Sequence, residues 1–163
     1  MKKEKINFYA IYSFECLDAK GKTKWKDGFK NIIPTVGKNK ILDATLVAGL
    51  AAPSWFVGLK NNGVAVAGDT MASHASWTEL TPYSDATRKA FTPGAISAGS
   101  VNNSASKASF AINATATIGG AFTVDNSTKA GTTGTLLSAG NFASTKDVAD
   151  GDTLNVTVTF TIS

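Results

Sequence analysis

The end of the chain constrains the fold more than any other stretch. Leu154, Val156, Val158, Phe160 and Ile162 alternate with Asn155, Thr157, Thr159 and Thr161. A period of two puts the apolar side chains on one face of a strand and the polar ones on the other. Such a strand belongs in an antiparallel sheet with one face covered and one face wet. The same alternation runs earlier, where Ala108, Phe110, Ile112, Ala114, Ala116 and Ile118 interleave with Ser109, Ala111, Asn113, Thr115 and Thr117. Further strands are expected over 6–17, 23–33, 54–60, 88–91, 121–124 and 135–142. Asp18-Ala19-Lys20-Gly21-Lys22 reads as a hairpin loop, Gly119-Gly120 as a turn or bulge, and Asp150-Gly151 as a turn. Residues 35–50 form the one expected short helix. Thr35 suits its cap, Val36, Ile41, Leu42, Leu46 and Val47 lie near a helical period, and Gly49 and Pro53 stop it. Roughly eight to ten short strands with frequent turns predict a mainly β chain. The expected architecture is a β-sandwich with jelly-roll-like connections, an immunoglobulin-like one being the alternative.

The 163 residues suit a single domain, 1–163, with 1–34 a lysine-rich β-hairpin at its start. A hydrophobic share of 43% supports a packed core, and only 17% of residues are charged. The formal charge of +4 is unevenly placed: residues 1–40 hold ten lysines and four acids, so the rest of the chain is net negative. Arg88 is the one arginine, and base readers lean on arginine, so direct nucleic-acid binding is not expected. Cys16 is alone, which excludes an intrachain disulfide and a cysteine-based zinc site. Met1-Lys2-Lys3-Glu4-Lys5 starts like a signal peptide, but no clean apolar core follows, and no run reaches membrane-spanning length. Synthesis in a cytoplasm and no membrane partner are the expectations.

The stretch 68–79 holds the only histidine and sits where a lysine-rich half gives way to a nearly uncharged one. Asp69, His74 and Glu79 could be read as metal ligands or an acid/base set. No helix signal places them on one face, so the reading adopted is structural. Asp69, Ser73, His74 and Glu79 make a hydrogen-bonded corner while Trp77 and Met71 enter the core. Ser73 and His74 are adjacent, so a strand would point them to opposite faces, and no Gly-x-Ser-x-Gly elbow exists. No phosphate-cradling loop precedes a helix, and no pair of acids is placed as a glycosidase needs. Asp147, Asp150 and Asp152 could hold calcium, but they lack EF-hand spacing and read as a solvated turn. Trp25, Trp55 and Trp77 lie on separate elements, which suits core packing better than a glycan-binding face. No catalytic residue, metal or cofactor is expected.

Several of these stretches taken together carry a resemblance. They are Trp55-Phe56-Val57-Gly58-Leu59, Gly68-Asp69-Thr70-Met71-Ala72-Ser73-His74, Trp77-Thr78-Glu79, Tyr83 and Arg88, followed by Asn103-Ser104-Ala105 and Phe110. Gly119-Gly120-Ala121-Phe122, Gly131-Thr132-Thr133-Gly134-Thr135-Leu136 and Gly151-Asp152-Thr153-Leu154 complete the set. From about Ile32 to its end the chain resembles small virion structural proteins of tailed bacteriophages, most of all head decoration, or cement, proteins. The resemblance implies a non-enzymatic protein on the outer capsid surface, bridging subunits of the major capsid protein and made in the host bacterial cytoplasm. A tail-fibre or tail-adaptor module binding a host glycan or another tail protein is the alternative. Self-association as a dimer or trimer is expected, because an open sandwich must protect its edges. The first third lies outside the resemblance. Its charge makes residues 1–40 the expected capsid contact, with Lys20, Lys22, Lys24 and Lys26 facing an acidic shell. Phe8, Tyr9, Tyr12, Trp25 and Phe29 would then either anchor that contact or fill the protein's own core.

Overall fold

Two antiparallel five-stranded sheets face each other in the computed structural model, which describes residues 6–47 and 53–163. The chain runs β1 (Phe8–Leu17), β2 (Thr23–Lys30), α1 (Thr35–Leu42), β3 (Trp55–Lys60), β4 (Glu79–Leu80), β5 (Lys89–Phe91), β6 (Ser100–Asn102), β7 (Ala108–Ala111), β8 (Ala116–Val124), β9 (Leu136–Val148) and β10 (Thr153–Ile162). The first sheet has the order β2-β1-β10, with β6 and β7 sharing the far side of β10. The second has the order β3-β8-β9, with β4 and β5 sharing the outer side of β3. The chain is thus a β-sandwich with one short helix.

The alternation in β10 does what its period demands. Leu154, Val156, Val158 and Phe160 are buried between the sheets, opposite Cys16, Phe14, Tyr12 and Ala10 of β1. The hairpin of β1 and β2 turns at Asp18, whose carboxylate accepts the Lys20 and Lys22 N–H groups, and at Gly21, with φ 78°. Tyr12 crosses the interior, and its hydroxyl shares hydrogen bonds with Thr123 and Ser138 of the opposite sheet at 2.6 and 2.5 Å. A buried hydroxyl without partners would be costly, so this bridge also fixes the register of the two sheets.

Both open sides of the sandwich are stitched. Ile32, past the end of β2, exchanges backbone hydrogen bonds with Ala139 of β9. On the other side Tyr83 bridges Ile112, with Ser84 N–H donating to the Ala111 carbonyl. Each seam is local, a single bridge, and the rest of the outer sides of β2 and β9 has no strand partner among the described residues.

Several sequence expectations need correction. The alternating run 108–118 is not one strand: β7 lies in the first sheet and β8 in the second, and the chain crosses between them at 113–115. Of the two readings of Gly119-Gly120 the bulge holds, since the pair lies inside β8 where the register to β9 shifts between Ile118 and Gly120. There β9 carries extra residues between Asn141 and Lys146. That bulge turns Phe142 inward against Phe14, Trp25 and Phe29 and leaves Ala143, Ser144 and Thr145 exposed. The helix is capped by Pro34 without a side-chain hydrogen bond, so Thr35 is its first residue and not its cap. Past Leu42 it widens into a π-helical turn, Asp43–Val47, and the end expected at 48–50 lies outside the described residues. Gly37 seats the helix on β9: a Cβ there would meet the Leu137 carbonyl at 2.5 Å. Of the expected apolar face Val36 and Ile41 pack against the protein, while Leu42, Leu46 and Val47 face solvent.

Candidate functional site

Between β3 and β4 the chain makes a long excursion over the outer face of the second sheet. Its ends meet where Asn61 N–H donates to the Thr78 carbonyl and the Asn61 side chain bonds Thr78 and Gly63. The enclosed strap, 61–78, resembles an Ω-loop, a segment whose ends are close and whose own side chains fill it. Ala65, Met71 and Trp77 enter a second apolar cluster with Phe122, Val124, Leu136 and Ala139. Sheet face, strap and helix therefore form a third layer outside the sandwich core.

Trp77 is 1% exposed, and its indole Nε1 donates to the Asp69 carboxylate at 2.9 Å. The same carboxylate oxygen accepts the Val66 N–H at 3.0 Å, which folds the strap onto itself. His74 stacks on the indole at 4.0 Å between ring centroids. Its Nδ1 donates to the Thr70 carbonyl at 3.0 Å, and the Ser73 N–H donates to the Thr70 hydroxyl at 2.9 Å. Asp69, Ser73, His74 and Trp77 thus lie in one strap, Ser73 exposed at its bend.

Glu79 does not join them. It leaves the strap on β4 and pairs with Arg88, whose side chain is fully buried, through two hydrogen bonds of 3.0 and 2.6 Å. Arg88 also donates to the Asn126 and Gly131 carbonyls and lies over the Phe122 ring. The one arginine is thereby spent on holding loops together, the planar fork satisfying a carboxylate and two carbonyls at once.

Lys60 is the residue whose setting the sequence did not reveal. It ends β3 with its residue fully buried beneath the strap. Its Nζ donates to the Asn61 carbonyl at 3.0 Å, the Gly63 carbonyl at 2.6 Å and Asn141 Oδ1 at 2.7 Å, and it lies 5.4 Å from the Trp77 ring centre. Burial pushes its amine down to about 8, against the opposing pull of the Asp69 carboxylate. In the sheet Lys60 pairs with Gly120, and Gly120 pairs with Asn141. Lys60 and Asn141 thus stand on either side of Gly120 in the middle strand. A lysine closing an apolar strand, and a glycine pair inside another, were the available signals.

The lysines proposed for a capsid contact are not equivalent. Lys20 and Lys22 stand exposed on the hairpin tip. Lys26 pairs with Glu15, and Lys24 reaches the buried Asp152 at 2.5 Å. Asp152 also accepts the Ala149 N–H and the Cys16 thiol, so it belongs to a structural cluster. Among the described residues no group of three His, Cys, Asp or Glu side chains is placed to hold a metal ion. Tyr12, Trp25 and Phe29 pack in the protein's own core, and Tyr9 carries Lys30 over its ring. Phe8 is likewise half-buried against that core, stacked on Phe160, so of the five aromatics Tyr9 is left for an outside contact. Residues 1–5 of the proposed contact lie outside the described residues.

The opposite end of the first sheet is apolar. Phe8, Ile41, Trp55, Phe91, Val101 and Phe160 line a groove of about 370 Å³ there. Ile6, Leu42, Ile96 and Ile162 at its margins are each more than half exposed. Among the described residues no helix is long and apolar enough to cross a membrane. No protein-family model matches the chain, and no curated protein matches it.

Proposed function

We propose that the chain is a non-enzymatic bacteriophage virion protein that decorates the capsid and bridges its subunits. The observation that carries this reading is the polarity of the first sheet. Lys20 and Lys22 tip the hairpin at one end, while Ile6, Phe8 and Ile162 stand at the other, a ten-residue strand away. At the ordinary rise that is roughly 30 Å. A bridging module needs two contact surfaces held rigidly apart, and the stitched sandwich supplies them. The basic tip suits an acidic capsid exterior, where complementary charge sets encounter and register. Among the described residues the lining of the apolar end includes one charge, Lys38, and its apolar side chains suit a second copy of the chain.

Co-sedimentation with particles tests the reading. Wild type should bind, and added salt should weaken binding. Lys20→Glu with Lys22→Glu should fold normally and lose particles. Lys24 is left intact because reversing it would strand Asp152. Normal binding by this folded variant at all salt concentrations would move the contact elsewhere. The tail-fibre or tail-adaptor reading predicts binding to host glycan or a tail protein instead.

A further inference from the structure

We propose that Lys60 and Asn141 are the two halves of an intramolecular isopeptide cross-link that the protein forms on itself. The case is geometric. Lysine Nζ lies 2.7 Å from the carboxamide oxygen, in a pocket closed by Trp77 and the strap. The two residues stand in register across three strands, on either side of Gly120. A Cβ at Gly120 would meet the Gly140 carbonyl at 2.0 Å, so glycine is what lets β8 and β9 approach this closely beside Asn141. Fixed proximity of nucleophile and acyl group replaces a bimolecular encounter with an internal one. The ammonium is inert, and burial brings the neutral amine within reach of ordinary pH.

The step balances without a co-reactant. Lys60 first gives a proton to solvent. The neutral amine attacks Cγ of Asn141, the Nζ–Cγ bond forms, and the Cγ–Nδ2 bond breaks. A second proton moves from Nζ to the departing nitrogen, and ammonia leaves. Nothing is oxidised or reduced. Asp69 is engaged by the Trp77 indole and the Val66 N–H, so this proton transfer takes place within the reacting group itself. Asn141 is half-buried and borders a shallow depression with Val64, Ala65 and Gly140, which gives ammonia an exit. The product ties β3 to β9 across β8 in a single-turnover reaction, so it requires no substrate and is independent of capsid binding.

Intact-mass spectrometry of the full chain tests the proposal. Wild type should fall below its sequence mass by one ammonia, faster as pH rises through the Lys60 value. Its digest should hold a branched peptide joining the Lys60 and Asn141 segments. Lys60→Met and Asn141→Leu should keep their sequence masses. Asn141→Asp should lose water instead and reach the same final mass as cross-linked wild type, which rescues the reaction in a near-isosteric background. Asp69→Asn, which still offers an oxygen to Trp77 but removes the charge that favours the ammonium, should move the onset of the loss to lower pH. Folded wild type that keeps its sequence mass at every pH overturns the proposal and leaves Lys60 a hydrogen-bonding staple. So does ammonia loss confined to an unbranched peptide at Asn62-Gly63, where a succinimide would give the same mass.

Discussion

Replacing Trp77 by alanine removes the plug that holds the strap on the second sheet. The indole is almost wholly buried against Phe122 and His74, and its N–H satisfies Asp69. Emptying a buried tryptophan site costs about 3–5 kcal/mol. Leaving the Asp69 carboxylate short of a donor costs about 1–3 kcal/mol more, less whatever water recovers. The two terms share one site and do not simply add, so a loss of about 4–5 kcal/mol is expected. Against a total of about 5–15 kcal/mol for a domain, that is a large share. Trp77→Phe separates the terms: it keeps most of the ring, loses the N–H, and should cost about 1–3 kcal/mol. Urea unfolding of wild type and both variants reads the difference, with an unchanged m-value required. A loss below about 1 kcal/mol for Trp77→Ala would refute the strap's place in the cooperative fold. So would an unchanged midpoint with rapid hydrogen exchange confined to 61–78, since the strap would then open alone.

Arg88→Met should destabilise by about 3–5 kcal/mol, because it leaves Glu79 buried without its partner, and adding Glu79→Leu should recover much of the loss in the same unfolding assay. Burial raises the Asp152 carboxyl, but the Lys24 and Ala149 donors outweigh it, and the net shift is downward from 3.8. A depressed carboxyl adds stability above its unfolded value that is lost as pH falls through the folded one, so unfolding midpoints should drop below about pH 4 and Asp152→Asn should blunt that drop. Burial, with Asp152 adding to it, pushes the Cys16 thiol up to about 11, so native protein near neutral pH should resist a thiol reagent that labels it fully in denaturant. Labelling of the native state at the denatured rate would contradict the burial.

How much of this was legible depends on periodicity. In β1 and β10 one face meets the opposite sheet along the whole strand, so alternation in the sequence gives burial directly. In 108–118 alternation persists while the chain changes sheets at 113–115, because the period records which side is buried and not which sheet buries it. The helix was legible in part. Val36 and Ile41 pack against the protein while Leu42 and Leu46 stay in water, so apolar residues at helical spacing did not all mark the buried face. In the strap, Ala65, Met71 and Trp77 have no period at all, and only the concentration of polar residues around one tryptophan marked the site. The Asp69–Trp77 bond lies within that marked stretch. The Glu79–Arg88 pair forms because β4 and β5 both align on β3, and the Lys60–Asn141 contact joins strands far apart in sequence, so neither follows from a periodic pattern.

The proposed role as a capsid decoration protein is tested most directly by locating the chain in a purified virion, from a particle reconstruction that resolves side chains. The account predicts density for the sandwich at every equivalent position of the capsid exterior, with Lys20 and Lys22 against the shell and the apolar end against a second copy. Density confined to the tail, or a hairpin tip pointing into solvent at every head position, would contradict it.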